Sequence, residues 1–244
     1  MLVFAAAFII ALAALTPASV LGIWLARASG GRILLAEPQG TVWNGTATPV
    51  IESKTAAPLR LGTVGWNISL RTLWRGILLL DVRQLGSAQP RPSEIWIRAS
   101  QVNFRNVAVD LPAAAMGGLN PLLQAMRLQG RLAISANEIT IARDGEITGT
   151  AIANWEMAGS TLSPINPFGS YRIELVGAGD KIKINLTTVS GCLQLNGHGQ
   201  WTGGGLQFDA TANATGKRKD ALSEMLHHLG PETAPGVFSF KMTR

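Results

Sequence analysis

Past an apolar start, hydrophobic and polar residues alternate along this chain with a period of two. Val64, Trp66, Ile68 and Leu70 alternate with Thr63, Gly65, Asn67 and Ser69. Leu132, Ile134 and Ala136 alternate with Arg131, Ala133 and Ser135. Ile147, Gly149, Ala151, Ala153, Trp155 and Met157 form one long face against Thr148, Thr150 and Asn154. Shorter runs follow at Ile173 and Leu175, at Ile182, Ile184 and Leu186, at Leu193 and Leu195, and at Leu206, Phe208 and Ala210. Such alternation sends one face of each strand into a core and leaves the other wet. Asp144-Gly145 is a turn-type pair, while Asn196-Gly197 fits either a turn or a glycine-tolerant strand. Successive strands with short turns predict antiparallel meanders, not βαβ units.

Two helical interruptions break the alternation. Asn120-Pro121 reads as an N-cap followed by proline at the first helical position, opening a short helix through Leu122, Leu123 and Met126. Pro112 to Met116 adds a turn ahead of it. Near the end, Leu222, Met225, Leu226 and Leu229 take helical spacing, with Gly230-Pro231 as the stop. A final strand, Gly236 to Met242, carries Phe238 and Phe240 on one side. The β domain, residues 29–244, thus divides into an early part (36–109), a helical insert (111–127) and a late part (128–244), expected to share one sheet or groove.

Ahead of it, Leu2 to Ala26 contains no charged side chain, and only Thr16 and Ser19 are polar. As one helix the run reaches about 37 Å, more than the roughly 30 Å hydrocarbon core of a bilayer. Residues 1–28 are therefore read as an uncleaved single-pass anchor, with Leu2, Phe8, Ile9, Ile10, Leu12, Leu15, Leu21 and Trp24 in contact with lipid. Pro17 kinks it, and Trp24 before Arg27 suits the interface. The competing reading is a signal peptide cleaved near Ala26-Arg27-Ala28, but the run far exceeds an apolar region of about 7–15 residues. A positive-inside count over Arg27 and Arg32 points the domain to the cytoplasm. Long domains translocate largely regardless of charge, so the count does not decide orientation. An outer-membrane barrel fits poorly, because several strands fall short of the 9–11 residues such strands need.

Composition adds size and chemistry. The chain has 244 residues, 27 of them glycine, with 47% apolar residues and a formal charge of +6. That suits one β domain able to bury a core unaided. Seven arginines lie between Arg60 and Arg105 against Asp81 and Glu94. They are dispersed, as on a solvated sheet face, though attraction to anionic head groups is the functional reading. No nucleic-acid signature is present. Cys192 is the sole cysteine and reads as a small buried hydrophobe. His227 and His228 diverge by about 100° on a helix, too far to share a metal easily. Gly197-His198-Gly199 opens like a dinucleotide fingerprint, but Thr202 occupies the place of the third glycine. The sequence therefore calls for no metal, cofactor or catalytic residue. Trp43, Trp66, Trp74, Trp96, Trp155 and Trp201 punctuate the β region as core anchors, each burying about 150–250 Å², or as the lining of an apolar groove. Trp43 in particular is expected as a buried anchor in a turn-flanked strand.

At these residues a resemblance enters. Pro38-Gln39-Gly40-Thr41-Val42-Trp43-Asn44-Gly45, directly after an N-terminal anchor, resembles the opening signature of the type II secretion system protein N family (general secretion pathway protein N). In order follow Gly65-Trp66 with Leu73 and Gly76, Gly130-Arg131-Leu132, and Gly149 through Trp155. Pro167-Phe168-Gly169 with Tyr171 comes next, then Gly191-Cys192-Leu193 with Leu195 and Gly197. The absent basic residues before the anchor depart from the family pattern. The resemblance implies an accessory inner-membrane component of type II secretion with its β domain in the periplasm. Its partners would be other secretion components and membrane lipid, and no catalysis is implied. The expected fold is mainly β: a transmembrane helix, then an elongated, curled antiparallel sheet with short helical insertions. A weaker architectural resemblance, to AsmA-like lipid-transfer proteins, gives the alternative of a groove that holds phospholipid.

Overall fold

A computed structural model describes residues 4, 12, 14–52, 58–86, 92–118, 121–163, 165–215 and 231–243. The chain forms two compact units, Met1–Ala99 and Ser100–Arg244. Both are built mainly of antiparallel strands, as the alternation predicts.

In the first unit, helix α1 (Ser19–Ala28) precedes strands β1 (Ile33–Gly40), β2 (Asn44–Ile51), β3 (Leu59–Arg60) and β4 (Val64–Ser69). A 3-10 helix (Leu70–Arg75) leads to β5 (Leu78–Gln84) and β6 (Ser93–Ile97). The strands lie in the order β1-β2-β4-β5-β6, with β3 also on β2. Leu21, Gly22, Leu25 and Ala26 of α1 are half-buried, whereas Val20, Ile23, Trp24 and Arg27 face outward. The buried side packs on β1, and Gly22 permits the approach: a β-carbon there would meet that of Leu35 at 3.6 Å.

The expected unbroken helix from Leu2 to Ala26 is corrected here. Helical structure stops before Leu15 and restarts at Ser19, and Pro17 forms an isolated antiparallel bridge with Thr41. Proline has no N–H to donate and blocks the preceding turn, so the chain breaks where its ring stands. Among the described residues no helix is long and apolar enough to cross a membrane. Of the expected anchor positions, Leu12 and Leu15 are exposed ahead of the break, whereas Leu21 and Trp24 belong to α1. Leu2, Phe8, Ile9 and Ile10 lie outside the described residues.

The second unit begins with β7 (Gln101–Pro112), a 3-10 helix (Ala113–Gly118) and α2 (Pro121–Ala125). The long strands β8 (Leu128–Ala142), β9 (Ile147–Ser160), β10 (Gly169–Gly179), β11 (Lys181–Gly191), β12 (Leu193–Thr202) and β13 (Gly205–Ala214) follow. From β7 to β13 each strand pairs with the next in sequence. The meander then breaks: β15 (Val237–Thr243) pairs with β13, and the three-residue β14 (Glu232–Ala234) lies outside it. No hydrophobic alternation marked β14, which is fully exposed.

Three local expectations are revised. Leu70 does not extend the alternation of β4; it opens the 3-10 helix and is 50% exposed. Met157 leaves the inward face of β9 and is 65% exposed. Its φ of 51° marks a bulge, since register shifts occur opposite it on both β8 and β10. One extra residue reverses the alternation, so Ala158 is buried in its place. Asn196-Gly197 lies inside β12, whereas Asp144-Gly145 makes the β8–β9 turn, where Glu146 N–H donates to Asp144 Oδ1 at 3.1 Å. The expected helix around Leu226, with His227 and His228, lies outside the described residues, as does Asn120.

Candidate functional site

The motif Pro38 to Gly45 forms a turn to which two other segments attach, β4 and the residues around Pro17. Pro38 follows a bulge in β1, where Glu37 has φ 53° and the register with β2 shifts. Gly40 adopts φ 84°, and a β-carbon there would meet Asn44 O at 2.4 Å, so the position requires glycine. Thr41 N–H donates to Asn44 O (2.8 Å), and Asn44 N–H donates to Thr41 Oγ1 (3.2 Å). Trp66 Nε1–H reaches across from β4 to donate to Val42 O at 2.9 Å. Its ring lies over Gly45, where a β-carbon would stand 2.6 Å from Trp66 Cζ2. Ile68 N–H donates to Trp43 O at 2.6 Å. The segment around Pro17 closes the turn from its other side: Val42 N–H donates to Thr16 O (2.9 Å), and Ala18 N–H donates to Gly40 O (3.1 Å). Ala18 is 1% exposed. Trp43 sits in the turn, half-buried, and not in a strand as its flanking glycines suggested.

The second unit gathers another set of motif residues. Tyr171 is 1% exposed, and its hydroxyl donates to Leu193 O at 2.8 Å. Burial, aided by neighbouring Cys192, pushes its phenol well above the ordinary range, which keeps it a donor. Trp155 meets Phe168 edge-on at a centroid distance of 5.9 Å and Tyr171 at 5.8 Å. Glycine lets the backbones close over these rings. A β-carbon on Gly191 would lie 2.2 Å from Gly169 Cα, and one on Gly169 would lie 2.7 Å from Tyr171 Oη. Cys192 packs half-buried on this cluster, its Sγ donating to Phe168 O at 3.5 Å. Gly197 lies farther along β12 beneath the Phe208 ring. Trp74 and Trp201 are not core anchors: they are 77% and 43% exposed.

The sheet of this unit has two contrasting faces. Ile173, Leu186, Gly197, Ala210 and Phe240 stand opposite one another across five strands on the apolar face, each half-buried. On the reverse face the matching row is Glu174, Asn185, His198, Asp209 and Lys241, which lines an open depression of about 610 Å³. Lys241 Nζ lies 3.8 Å from Asp209 Oδ1. Among the described residues no group of three His, Cys, Asp or Glu is placed to hold a metal.

Two features of the first unit escaped the sequence reading. Asp81 stands directly opposite Glu94 in the β5–β6 ladder; burial foremost, then the Glu94 charge, raises its carboxyl above the usual range, while Arg83 opposes the shift. Leu70, Leu73 and Trp74 are exposed together on the short 3-10 helix, beside Arg71 and Arg75. The signal was present in Leu-Arg-Thr-Leu-Trp-Arg, whose apolar residues do not fit period two.

The turn, the aromatic cluster and the strands between them fall within one family match. The family model for type II secretion system protein N aligns with residues 31–241. The chain belongs to that family. No curated protein and no solved structure shows significant similarity to it. Membership in the protein N family implies an accessory role in type II secretion and association with other components of that machinery.

Proposed function

We propose that this chain is a membrane-anchored accessory component of the type II secretion system, with its β domain in the periplasm as a non-catalytic interaction module. The observation that carries the reading is the protein N family match over residues 31–241. The uncharged stretch before Thr16 supports anchoring in the inner membrane, and the exposed Leu12 and Leu15 suit lipid contact. Deleting the gene tests the role: folded secretion substrates should accumulate in the periplasm, with insertion of other inner-membrane proteins unchanged. Wild-type export from the deletion strain would refute it. Reporters fused after Arg244 test the orientation, which fails if only a cytoplasmic reporter is active.

A phospholipid-holding groove is a second reading, favoured by the apolar face of the second unit. Its Ile173, Leu186 and Phe240 are half-buried, unlike the fully covered Tyr171 and Phe238. Purified full-length protein would then carry phospholipid detectable by mass spectrometry, and Ala151→Asp would expel it without unfolding the chain.

A further inference from the structure

We infer that the 3-10 helix Leu70–Arg75 is a second membrane contact, which seats Leu70, Leu73 and Trp74 in the interfacial layer of an anionic bilayer. The inference rests on the N-terminal anchor proposed above and adds a site to it. In a 3-10 helix residues three apart eclipse, so Leu70 and Leu73 share one edge while Arg71 and Trp74 share the next. Thr72, at the start of the third edge, is half-buried, while Arg75 at its end is exposed. The other two edges project outward. Leu70, Leu73 and Trp74 are 50%, 46% and 77% exposed. Three large apolar side chains adjoining in this way mark an interaction site, unlike single exposed ones.

Charge and position name the partner. The helix carries Arg71 and Arg75 and no acidic residue. The Arg75 guanidinium lies 4.5 Å from the Trp74 ring centroid. Tryptophan over leucine, with arginines able to extend toward head groups, is the composition of a membrane interface. Strand directions supply the position. β4 runs toward the Thr41–Asn44 turn, since Val64 pairs with Ala47 and Asn67 with Asn44, so the helix emerges beside that turn. Thr16 and Ala18 are hydrogen-bonded to the same turn. The uncharged segment ahead of Thr16 and the Leu70–Arg75 helix thus leave the first unit at one end. Leu85 projects from the opposite end of β5, about 23 Å away at 3.3 Å per residue, and is 52% exposed with no adjoining apolar cluster among the described residues.

Full-length protein carrying Cys192→Ser and one nitroxide, at Trp74→Cys, Leu85→Cys or Leu12→Cys, is placed in nanodiscs with or without phosphatidylglycerol in phosphatidylcholine. Collisions with oxygen and with a water-soluble nickel chelate are then measured. The label at position 74 should favour oxygen several-fold in anionic discs, with that preference falling in neutral ones, while the label at 85 stays in water. If the label at 12 is in lipid and that at 74 is in water, the second contact is refuted while the anchor stands, whether or not a protein covers Trp74 in the cell. If both are in water, the anchor falls and the inference with it. Equal immersion in neutral and anionic discs refutes the anionic surface as the partner.

Discussion

The two units use hydrophobic residues in opposite ways. Of the buried apolar residues among those described, the first unit holds only Ala18, Ala47 and Val50, all small, while the second holds fourteen, including Phe168, Tyr171 and Phe238. Among the described residues, exposed large apolar ones reverse the proportion: thirteen lie in the first unit and five in the second. Hydrophobic stabilisation scales with apolar area removed from water, so the second unit is held by its core. The first relies more on its strand ladders and the hydrogen-bonded Gly40–Gly45 turn, and leaves many of its larger side chains exposed.

Tyr171→Ala probes that contrast most strongly. Emptying a fully buried aromatic site should destabilise the second unit by about 3–5 kcal/mol. Hydrogen exchange on the full chain should show β9 to β13 losing protection while β1 to β5 keep theirs. Equal losses in both units would dissolve the distinction. Tyr171→Phe keeps the ring but leaves Leu193 O without its donor, at a cost of about 1–3 kcal/mol.

In the first unit, Gly45→Ala forces a methyl against Gln39 O at 2.5 Å and against the Trp66 ring. Overpacking of this kind costs about 1–3 kcal/mol, read as faster exchange confined to the turn and its neighbours. Gly65→Ala is the matched control. Its methyl meets nothing nearer than Thr46 Cγ2 at 3.6 Å, so protection there should be unchanged.

A smaller effect is expected from pH. The Asp81 carboxyl titrates above its unfolded value of 3.8 because burial and Glu94 disfavour its charge. Its contribution is therefore most favourable below that value and is lost as pH rises through the folded-state value. Asp81→Asn should remove this dependence, raising the unfolding midpoint near neutrality relative to that at about pH 4. An unaltered pH profile would show that the pair does not act this way. Smallest of all, Trp74→Ser should change stability by no more than about 0.5 kcal/mol, because the ring is outside any core. A larger loss in a denaturant titration would make Trp74 structural.

How much of this was legible in the sequence depended on what enforced each feature. The long strands of the second unit were readable because one face packs on Phe168, Tyr171 and Phe238, and burial imposes alternation. β14 is exposed on every residue, so nothing imposed a pattern on Glu232 to Ala234. Met157 was misplaced because a bulge is set by the pairing of β9 with two neighbours, which local spacing does not encode. The motif residues Gly40, Gly45 and Trp66 were picked out, but not their mutual contact, which joins positions distant in the chain. Continuity of the N-terminal helix failed at Pro17. There a kink was foreseen, but the bridge to Thr41 was not.

That bridge also sets how the molecule carries a load. When tension is applied through the residues ahead of Thr16, it reaches the fold at two hydrogen bonds, Val42 N–H to Thr16 O and Ala18 N–H to Gly40 O. Both end on the β1–β2 turn, so the turn takes the force before α1 is stretched. Rupture there releases Thr16 and Ala18 from the turn and leaves β2 paired with β4. That attachment thus yields in a small first step, as a compliant coupling does.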